Sequence, residues 1–170
     1  GLLRLRCYVV VFKTKRGPVV DTKFRGFHRI RKARGMDNER HERFLLDPTY
    51  REQAVEGYRM LEKVWMQGGW TVVIDEGWYA EQLGLRPYIE RLLTQGRSKG
   101  ISVVYGQQRP VTTSRFVISQ TTHLFCFRVE GRDGKAIAES TSPRILPAID
   151  SLTGSQFAYL GAAGAHTVEG

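Results

Sequence analysis

The run CYVVVF at residues 7–12 is apolar at every position and closes on the basic turn KTKRGP. Continuous apolar character, rather than alternation, predicts a strand buried on both faces, as in a parallel sheet. HRIRKA at 28–33 and RFLLD at 43–47 are shorter and predict edge strands. The period then changes. Asp47-Pro48 is a helix-start signal, and over 49–66 the residues Ala54, Val55, Tyr58, Leu61, Val64 and Trp65 recur at three and four. That spacing predicts one apolar helix face, stopped by Gly68-Gly69. WTVVID at 70–75 predicts the next buried strand, followed by helical pieces from 81 and over 86–95, broken near Gly84. ISVVYG at 101–106 and HLFCFRV at 123–129 predict two more buried strands, with a short helix at 114–120 between them. GRDGKAIAEST at 131–141 turns into another short helix, and the Gly/Ala-rich end at 158–170 predicts a tail that frays or packs elsewhere. Strands alternating with helices predict an α/β fold with a mostly parallel sheet flanked by helices.

Composition adds little until charge is placed along the chain. The 170 residues suffice for one domain with a real core, and 41% hydrophobic with 25% charged residues is ordinary for a globular protein. No apolar run approaches the roughly 18 residues of a membrane span, and no secretory signal pattern opens the chain. Cys7 and Cys126 sit in apolar runs, at a spacing that suits neither a zinc site nor a disulfide framework. Both are expected as core thiols in a reducing, intracellular setting. The net charge of +9 is wholly N-terminal: residues 1–43 hold 13 Lys or Arg against 4 Asp or Glu, and the remainder holds 13 of each. The excess is densest in KFRGFHRIRKARG at 23–35. There Lys23, Arg25, Arg29, Arg31, Lys32 and Arg34, interleaved with Phe24, Phe27 and Ile30, are candidates for nucleic-acid contact. A solvated strand face is the alternative reading of the same charges.

Candidate chemistry gathers where strands end, which is where open α/β sheets place their sites. Asp75-Glu76 closes the run TVVI. An aspartate at a strand tip can hold Mg²⁺ through water, and the next carboxylate can orient or deprotonate an attacking water. Gln107-Gln108 closes SVVYG, where a neutral amide can donate to a phosphate oxygen and accept from water. Arg97, in QGRSKG at 95–100, can reach across a subunit boundary to stabilise transition-state charge. Each has a plainer reading: an acidic turn, a polar loop, a solvated helix end. Asp47 is a possible further carboxylate for a Mg²⁺-dependent nuclease, a chemistry that needs several converging acids.

Taken in order, VVIDE, the following helix, GRSKGISVVYGQQRP and HLFCFRV resemble the P-loop ATPases of the FtsK/HerA type. That family includes DNA translocases, conjugative coupling proteins and viral genome-packaging motors. The resemblance covers residues 7–130 and is weak in 17–45. It implies a RecA-like ATPase core over 1–150 with a C-terminal tail at 151–170. By the same resemblance Asp75 is the Mg²⁺-side Walker B aspartate, Glu76 the catalytic glutamate and Gln107 or Gln108 the sensor. Arg97 is then the finger acting on a neighbouring subunit, with Arg109 an alternative contact at the nucleotide. ATP and Mg²⁺ follow as cofactors, double-stranded DNA as partner, and a ring of copies, often a hexamer, as the assembly. The expected location is the cytoplasm of a bacterial or archaeal cell, or of a virus-infected cell.

One departure matters. No G-x-x-x-x-G-K-[ST] occurs in the chain, so the backbone cradle for phosphates is absent from it. YVVVFKTKRG resembles the strand after the family's first helix, with Lys13 where an aspartate is usual. GLLRL resembles the end of that helix, and the expectation is a fragment that binds ATP poorly by itself. Three functions are therefore carried forward: an ATP-driven DNA motor core, a non-catalytic α/β module that binds nucleic acid through its basic segment, and a Mg²⁺ nuclease. Trp65, Trp70 and Trp78 are expected as core or interface anchors, His28 and His41 as solvated, and His123 in a structural hydrogen bond.

Overall fold

The computed structural model describes residues 8–15, 22–37, 39–129 and 131–161, and the backbone of 164–168. Cys7 and the helix end expected at 1–6 lie outside the described residues. The chain forms two compact units, Gly1–Gln107 and Gln108–Gly170.

The first unit is a five-stranded, wholly parallel sheet in the order β2-β3-β1-β4-β5. Its strands are β1 (Tyr8–Phe12), β2 (His28–Ile30), β3 (Arg43–Leu46), β4 (Trp70–Ile74) and β5 (Ser102–Tyr105). Registers such as Phe12↔Leu46, Phe12↔Ile74 and Ile74↔Tyr105 bring all the carboxyl ends to one rim. The interior strands β1 and β4 are almost wholly apolar, with Thr71 the polar exception in β4, because both faces are covered. Val10, Phe12, Phe44, Leu46, Trp70, Val72 and Ile74 face a core closed by helices. Val9, Val11, Leu45 and Val73 face the other way, where Phe24 and Phe27 pack on them.

Two strands differ from expectation. RFLLD forms an interior strand, since β3 lies between β2 and β1 and is buried along Phe44–Leu46. ISVVYG forms an edge strand that is only half-buried, with Val104 exposed.

Helix α1 (Gln53–Gln67) starts about one turn later than the Asp47-Pro48 signal, after a tight turn at Tyr50–Glu52. Its end is as the glycines imply. Gly68 has φ 70, its N–H returns to the Val64 carbonyl at 2.9 Å, and a Cβ there would lie 2.7 Å from the Lys99 carbonyl oxygen. The buried face is rotated from the expected one. Gln53, Glu56, Gly57, Met60, Leu61 and Val64 point inward, while Val55 and Tyr58 are exposed. Glu56 tolerates burial because Oε2 accepts from the Ala33 N–H at 2.8 Å and Oε1 from Arg59 at 2.7 Å. Gly57 leaves room for Leu85 and Phe12 against the helix. After β4 come the short α2 (Gly77–Ala80), a stretch Glu81–Leu85 kinked at Gly84 (φ 79), and α3 (Arg86–Gln95). Helix thus begins at Gly77, ahead of the expected 81.

The second unit holds α4 (Arg115–Ser119), α5 (Arg132–Ser140) and α6 (Ile145–Asp150) with β6 (Leu124–Phe127), β7 (Phe157–Gly161) and β8 (Gly164–Val168). The three strands form an antiparallel sheet in the order β6-β7-β8. Its core is Cys126, Ile137, Ala138, Ile145, Ile149, Leu152 and Ala158. HLFCFRV is therefore buried on one face only; Phe125 and Phe127 are exposed on the other. The Gly/Ala-rich end is no frayed tail, since it contributes the β7–β8 hairpin. Helix α6 had no counterpart in the sequence reading.

Candidate active site

The carboxyl rim of the parallel sheet carries most of the candidate chemistry. Asp75 and Glu76 follow β4 directly and point to different environments: Asp75 is exposed, whereas Glu76 is 8% exposed. Asp75 makes no hydrogen bond or ion pair with the described residues. Glu76 is ion-paired with the Lys15 ammonium, beyond the neighbouring tip of β1.

Two close approaches bind the tips of β4 and β5 together. The Gly106 N–H donates to the Ile74 carbonyl at 2.8 Å, and the Gly77 N–H donates to the Gly106 carbonyl at 2.9 Å. A Cβ on Gly106 would lie 2.7 Å from the Asp75 carbonyl oxygen, and one on Gly77 would lie 1.8 Å from the Tyr105 ring. Both glycines are needed for this contact, by space rather than by φ. The Tyr105 ring lies over Gly77, and its hydroxyl donates to Glu81 Oε1 at 2.6 Å. Burial first, then the Glu81 hydrogen bond, push the Tyr105 hydroxyl well above the ordinary tyrosine range. Gln107 completes the joint: its Oε1 accepts the Trp78 N–H at 2.9 Å. The amide expected to sense phosphate is thus coupled to the first turn after Glu76.

The tip of β1 is held as firmly. The Lys13 N–H donates to the Leu46 carbonyl at 2.9 Å, and its ammonium, 4% exposed, lies 3.6 Å from Asp47, which also meets Arg29 at 3.6 Å. Gln53 donates to the Thr14 carbonyl at 3.1 Å and accepts from the Tyr79 hydroxyl at 2.7 Å. This Thr14–Gln53–Tyr79 chain links the segment after β1 to α1 and α2. Nothing in the sequence signals it, because Gln53 is not among the apolar residues whose recurrence defines the expected helix face. The sequence signal for Lys15 was its place in K-T-K directly after a buried strand; the adjacency of that strand to the D-E strand comes from the fold.

Arg97 lies elsewhere. It is exposed in the turn Gly96–Lys99, at the amino end of β5. Four strand residues at about 3.3 Å each put the two rims some 13 Å apart. Arg97 lines an open cleft of about 810 Å³ with Trp65, Thr94, Gln95, Ser98 and Lys99, where Arg91 stacks 4.6 Å and Lys99 5.1 Å from the Trp65 ring. Gln108 and Arg109 are exposed and belong to the start of the second unit.

Lys23, Arg25, Arg29, Arg31, Lys32 and Arg34 are all exposed, and Lys32 pairs with Glu52 at 3.7 Å. His28 and His41 are exposed and stacked at 3.9 Å, and His123 Nδ1 shares a 2.7 Å hydrogen bond with the Tyr159 hydroxyl. Trp70 is core, Trp65 is partly buried, and Trp78 is exposed rather than a core anchor.

The donor set suits one hard cation bound mainly through other ligands. Mg²⁺ takes one or two carboxylates plus waters and substrate phosphates, and exposed Asp75 offers such a carboxylate. The nuclease arrangement fits poorly. Among the described residues no three His, Cys, Asp or Glu side chains converge, and the Asp47 carboxylate is engaged by Lys13 and Arg29. Among the described residues no helix is long and apolar enough to cross a membrane.

The fold can be placed among known structures. The genome packaging NTPase B204 from Sulfolobus turreted icosahedral virus 2, in complex with ATP-gammaS, superposes with a TM-score of 0.75 at 14% identity, covering 99% of this chain and 84% of that one. Its complex with AMPPCP gives 0.74 at 15% identity, covering 99% and 85%. The DNA-packaging ATPase B204 from Sulfolobus turreted icosahedral virus gives 0.74 at 15% identity, with the same coverage. The shared fold is an α/β architecture with a mostly parallel sheet. By sequence, 95 residues are 34% identical to the DNA packaging ATPase P9 of Enterobacteria phage PRD1, an alignment of 55% of this chain. It spans 41% of the length of that curated relative. No family model matches the chain.

Proposed function

We propose that this chain is the hydrolytic part of an ATP-driven motor of the FtsK/HerA type that packages double-stranded DNA, with residues 1–150 as its core. The observation that carries the reading is the joined rim of β4 and β5. An exposed Asp75, a buried Glu76 and Gln107 stand together, with Gln107 hydrogen-bonded to the first turn after Glu76. The similarity to packaging ATPases in sequence and in fold supports it.

In this reading Asp75 holds the metal side of the nucleotide, where Mg²⁺ neutralises phosphate charge. Glu76 takes the proton of a water as the water oxygen bonds to the γ-phosphorus and the bond to the leaving ADP oxygen breaks. Gln107 orients that water and reads the γ-phosphate. The phosphate cradle comes from outside these 170 residues, which contain no Walker A motif. Arg97, on the opposite rim, is too far to serve the same copy's Glu76, so it completes the site of a neighbour in a ring, with Arg109 a further contact. Lys23, Arg25, Arg31 and Arg34 make no ion pair with the described residues and supply DNA phosphate contacts, together with Arg29 and Lys32. The setting is the cytoplasm of an infected cell.

Mixing tests the shared interface. Glu76→Gln and Arg97→Ala full-length proteins are each expected to be inactive in Mg²⁺-ATP hydrolysis. Equal mixtures should recover about a quarter of wild-type turnover, since one interface in four pairs intact Glu76 with intact Arg97. No recovery from two inactive parents, or an active Arg97→Ala, would remove Arg97 from the neighbour's site. The binding-module reading predicts salt-sensitive DNA binding and no Mg²⁺-ATP turnover in the wild type.

A further inference from the structure

We propose that the exposed Trp78 of one copy seats in the cleft beside Arg97 of the next, so that a single joint holds neighbouring copies together and delivers Arg97. This interaction surface rests on the reading above, in which Arg97 completes a neighbour's site.

Trp78 stands two residues after Glu76, on the carboxyl rim. Its backbone is fixed. The Trp78 N–H donates to Gln107 Oε1 at 2.9 Å, and the preceding Gly77 N–H donates to the Gly106 carbonyl at 2.9 Å. Yet the residue is 42% exposed. A large amphipathic ring on a fixed root suits a binding hot spot, since it buries much area and gives up little freedom on docking.

The cleft on the other rim is lined by Trp65, Thr94, Gln95, Arg97, Ser98 and Lys99 and measures about 810 Å³. Its walls are fixed too. The Arg91 guanidinium lies 4.6 Å and the Lys99 ammonium 5.1 Å from the centre of the Trp65 ring, and Arg91 is ion-paired with Glu62. The Ile101 N–H closes the turn beneath Arg97 by donating to the Gly96 carbonyl at 2.9 Å. The Gly69 N–H ties that turn to the end of α1 by donating to the Lys99 carbonyl at 2.8 Å. The Arg97 side chain is exposed and has no ion pair among the described residues. A cleft edged by cations complements an indole, whose body is apolar and whose faces attract cations.

The two halves of this joint cannot meet within one copy, because the rims lie roughly 13 Å apart along β5 at about 3.3 Å per residue. They meet head to tail between copies, the heterologous kind of contact that closes into a ring when the rotation allows. Seating the indole beside Arg97 also brings that guanidinium to the rim where the neighbour's Glu76 stands. A group supplied by another chain gains from such an anchor, because docking fixes its orientation before reaction.

The test is self-association of the full-length protein, by sedimentation velocity over a concentration series with Mg²⁺-ATP and double-stranded DNA present. Mg²⁺-ATP turnover is measured over the same series. The proteins are wild type, Trp78→Ala, Ser98→Trp, which fills the cleft, and the double variant. Each single substitution is expected to weaken association about tenfold or more, as truncation of a buried interface tryptophan does. The double variant should be no weaker than either single one, because both remove the same contact. Turnover of Trp78→Ala should be low in dilute protein and recover to wild-type kcat, at unchanged KM for ATP, once concentration restores assembly. A merely local role for Trp78 lowers kcat at every concentration and overturns the joint. Unchanged association in either single variant, or additive losses, also overturns it. With recovery in the Glu76→Gln and Arg97→Ala mixture, those results leave the role of Arg97 standing. A wild type that stays monomeric, or no recovery in that mixture, overturns the shared-site reading and the joint with it. Circular dichroism checks folding, with Trp78→Gln and Thr94→Trp as replacements for a variant that does not fold.

Discussion

Gly77→Ala probes the joint that presents Glu76. The added Cβ would lie 1.8 Å from Tyr105 Cζ, 2.0 Å from Cε1 and 2.3 Å from the hydroxyl oxygen, so the ring has to swing away. Displacement overpacks the β4–β5 tip and breaks the 2.6 Å hydrogen bond to Glu81. Overpacking costs about 1–3 kcal/mol, and a hydrogen bond to a charged group is worth about 1.5–3, less here because the pair is only partly buried. Alanine's better helix propensity at the start of α2 returns up to about 1 kcal/mol. The net expectation is a loss of roughly 2–3 kcal/mol, or on the order of 10 °C in Tm. Urea unfolding monitored by tryptophan fluorescence measures it. The control is the same substitution in a Tyr105→Ser background, where the space is already open and the loss should nearly vanish. Wild-type stability in Gly77→Ala, or an equal loss in both backgrounds, would refute the steric argument.

Other outcomes follow from the same structure. Because the Tyr105 hydroxyl is held above its ordinary value, the folded state keeps a proton that the unfolded chain releases. Its stabilising contribution is full below the ordinary tyrosine pKa of about 10 and is lost as pH rises above it. Tyr105→Phe should therefore flatten the alkaline decline in stability, and an unchanged alkaline limb would contradict this. Thr71 is 3% exposed, with a buried hydroxyl that finds no hydrogen-bond partner among the described residues. Thr71→Val is expected to raise stability by about 1 kcal/mol, seen as a higher urea midpoint at unchanged slope. Burial pushes the Cys126 thiol up to about 11. In a Cys7→Ser background it should react with a disulfide reagent at pH 8 only as fast as the protein opens, and reaction at the rate of a free thiol would contradict its burial.

The interior strands were legible because burial on both faces writes itself as near-continuous apolar or β-branched sequence, as in YVVVF and WTVVI. The tips Asp75-Glu76 and Gln107 were legible because charged or amide residues directly after such runs have to lie at a strand end. The inward face of α1 was not. Gln53 and Glu56 are polar yet buried, each hydrogen-bonded to a distant element, and Gly57 is inward because Leu85 and Phe12 need its space. Periodicity counts apolar residues and cannot see partners supplied from 20 or more residues away. The β7–β8 hairpin was missed for a related reason. Glycine and alanine weaken a strand pattern, and pairing with β6 overrides that weakness. Lys15 was visible as a lysine after a strand, but its partner depends on β1 lying next to β4, which strand order alone decides.

The measurement that bears most directly on the central claim is Mg²⁺-ATP turnover by full-length protein, wild type beside Glu76→Gln, with and without double-stranded DNA. The account predicts turnover stimulated by DNA in the wild type and its loss by a factor of about 10² or more in Glu76→Gln, in protein that still binds nucleotide. Equal turnover in the two proteins would show that Asp75-Glu76 is only an acidic turn at the end of a buried strand.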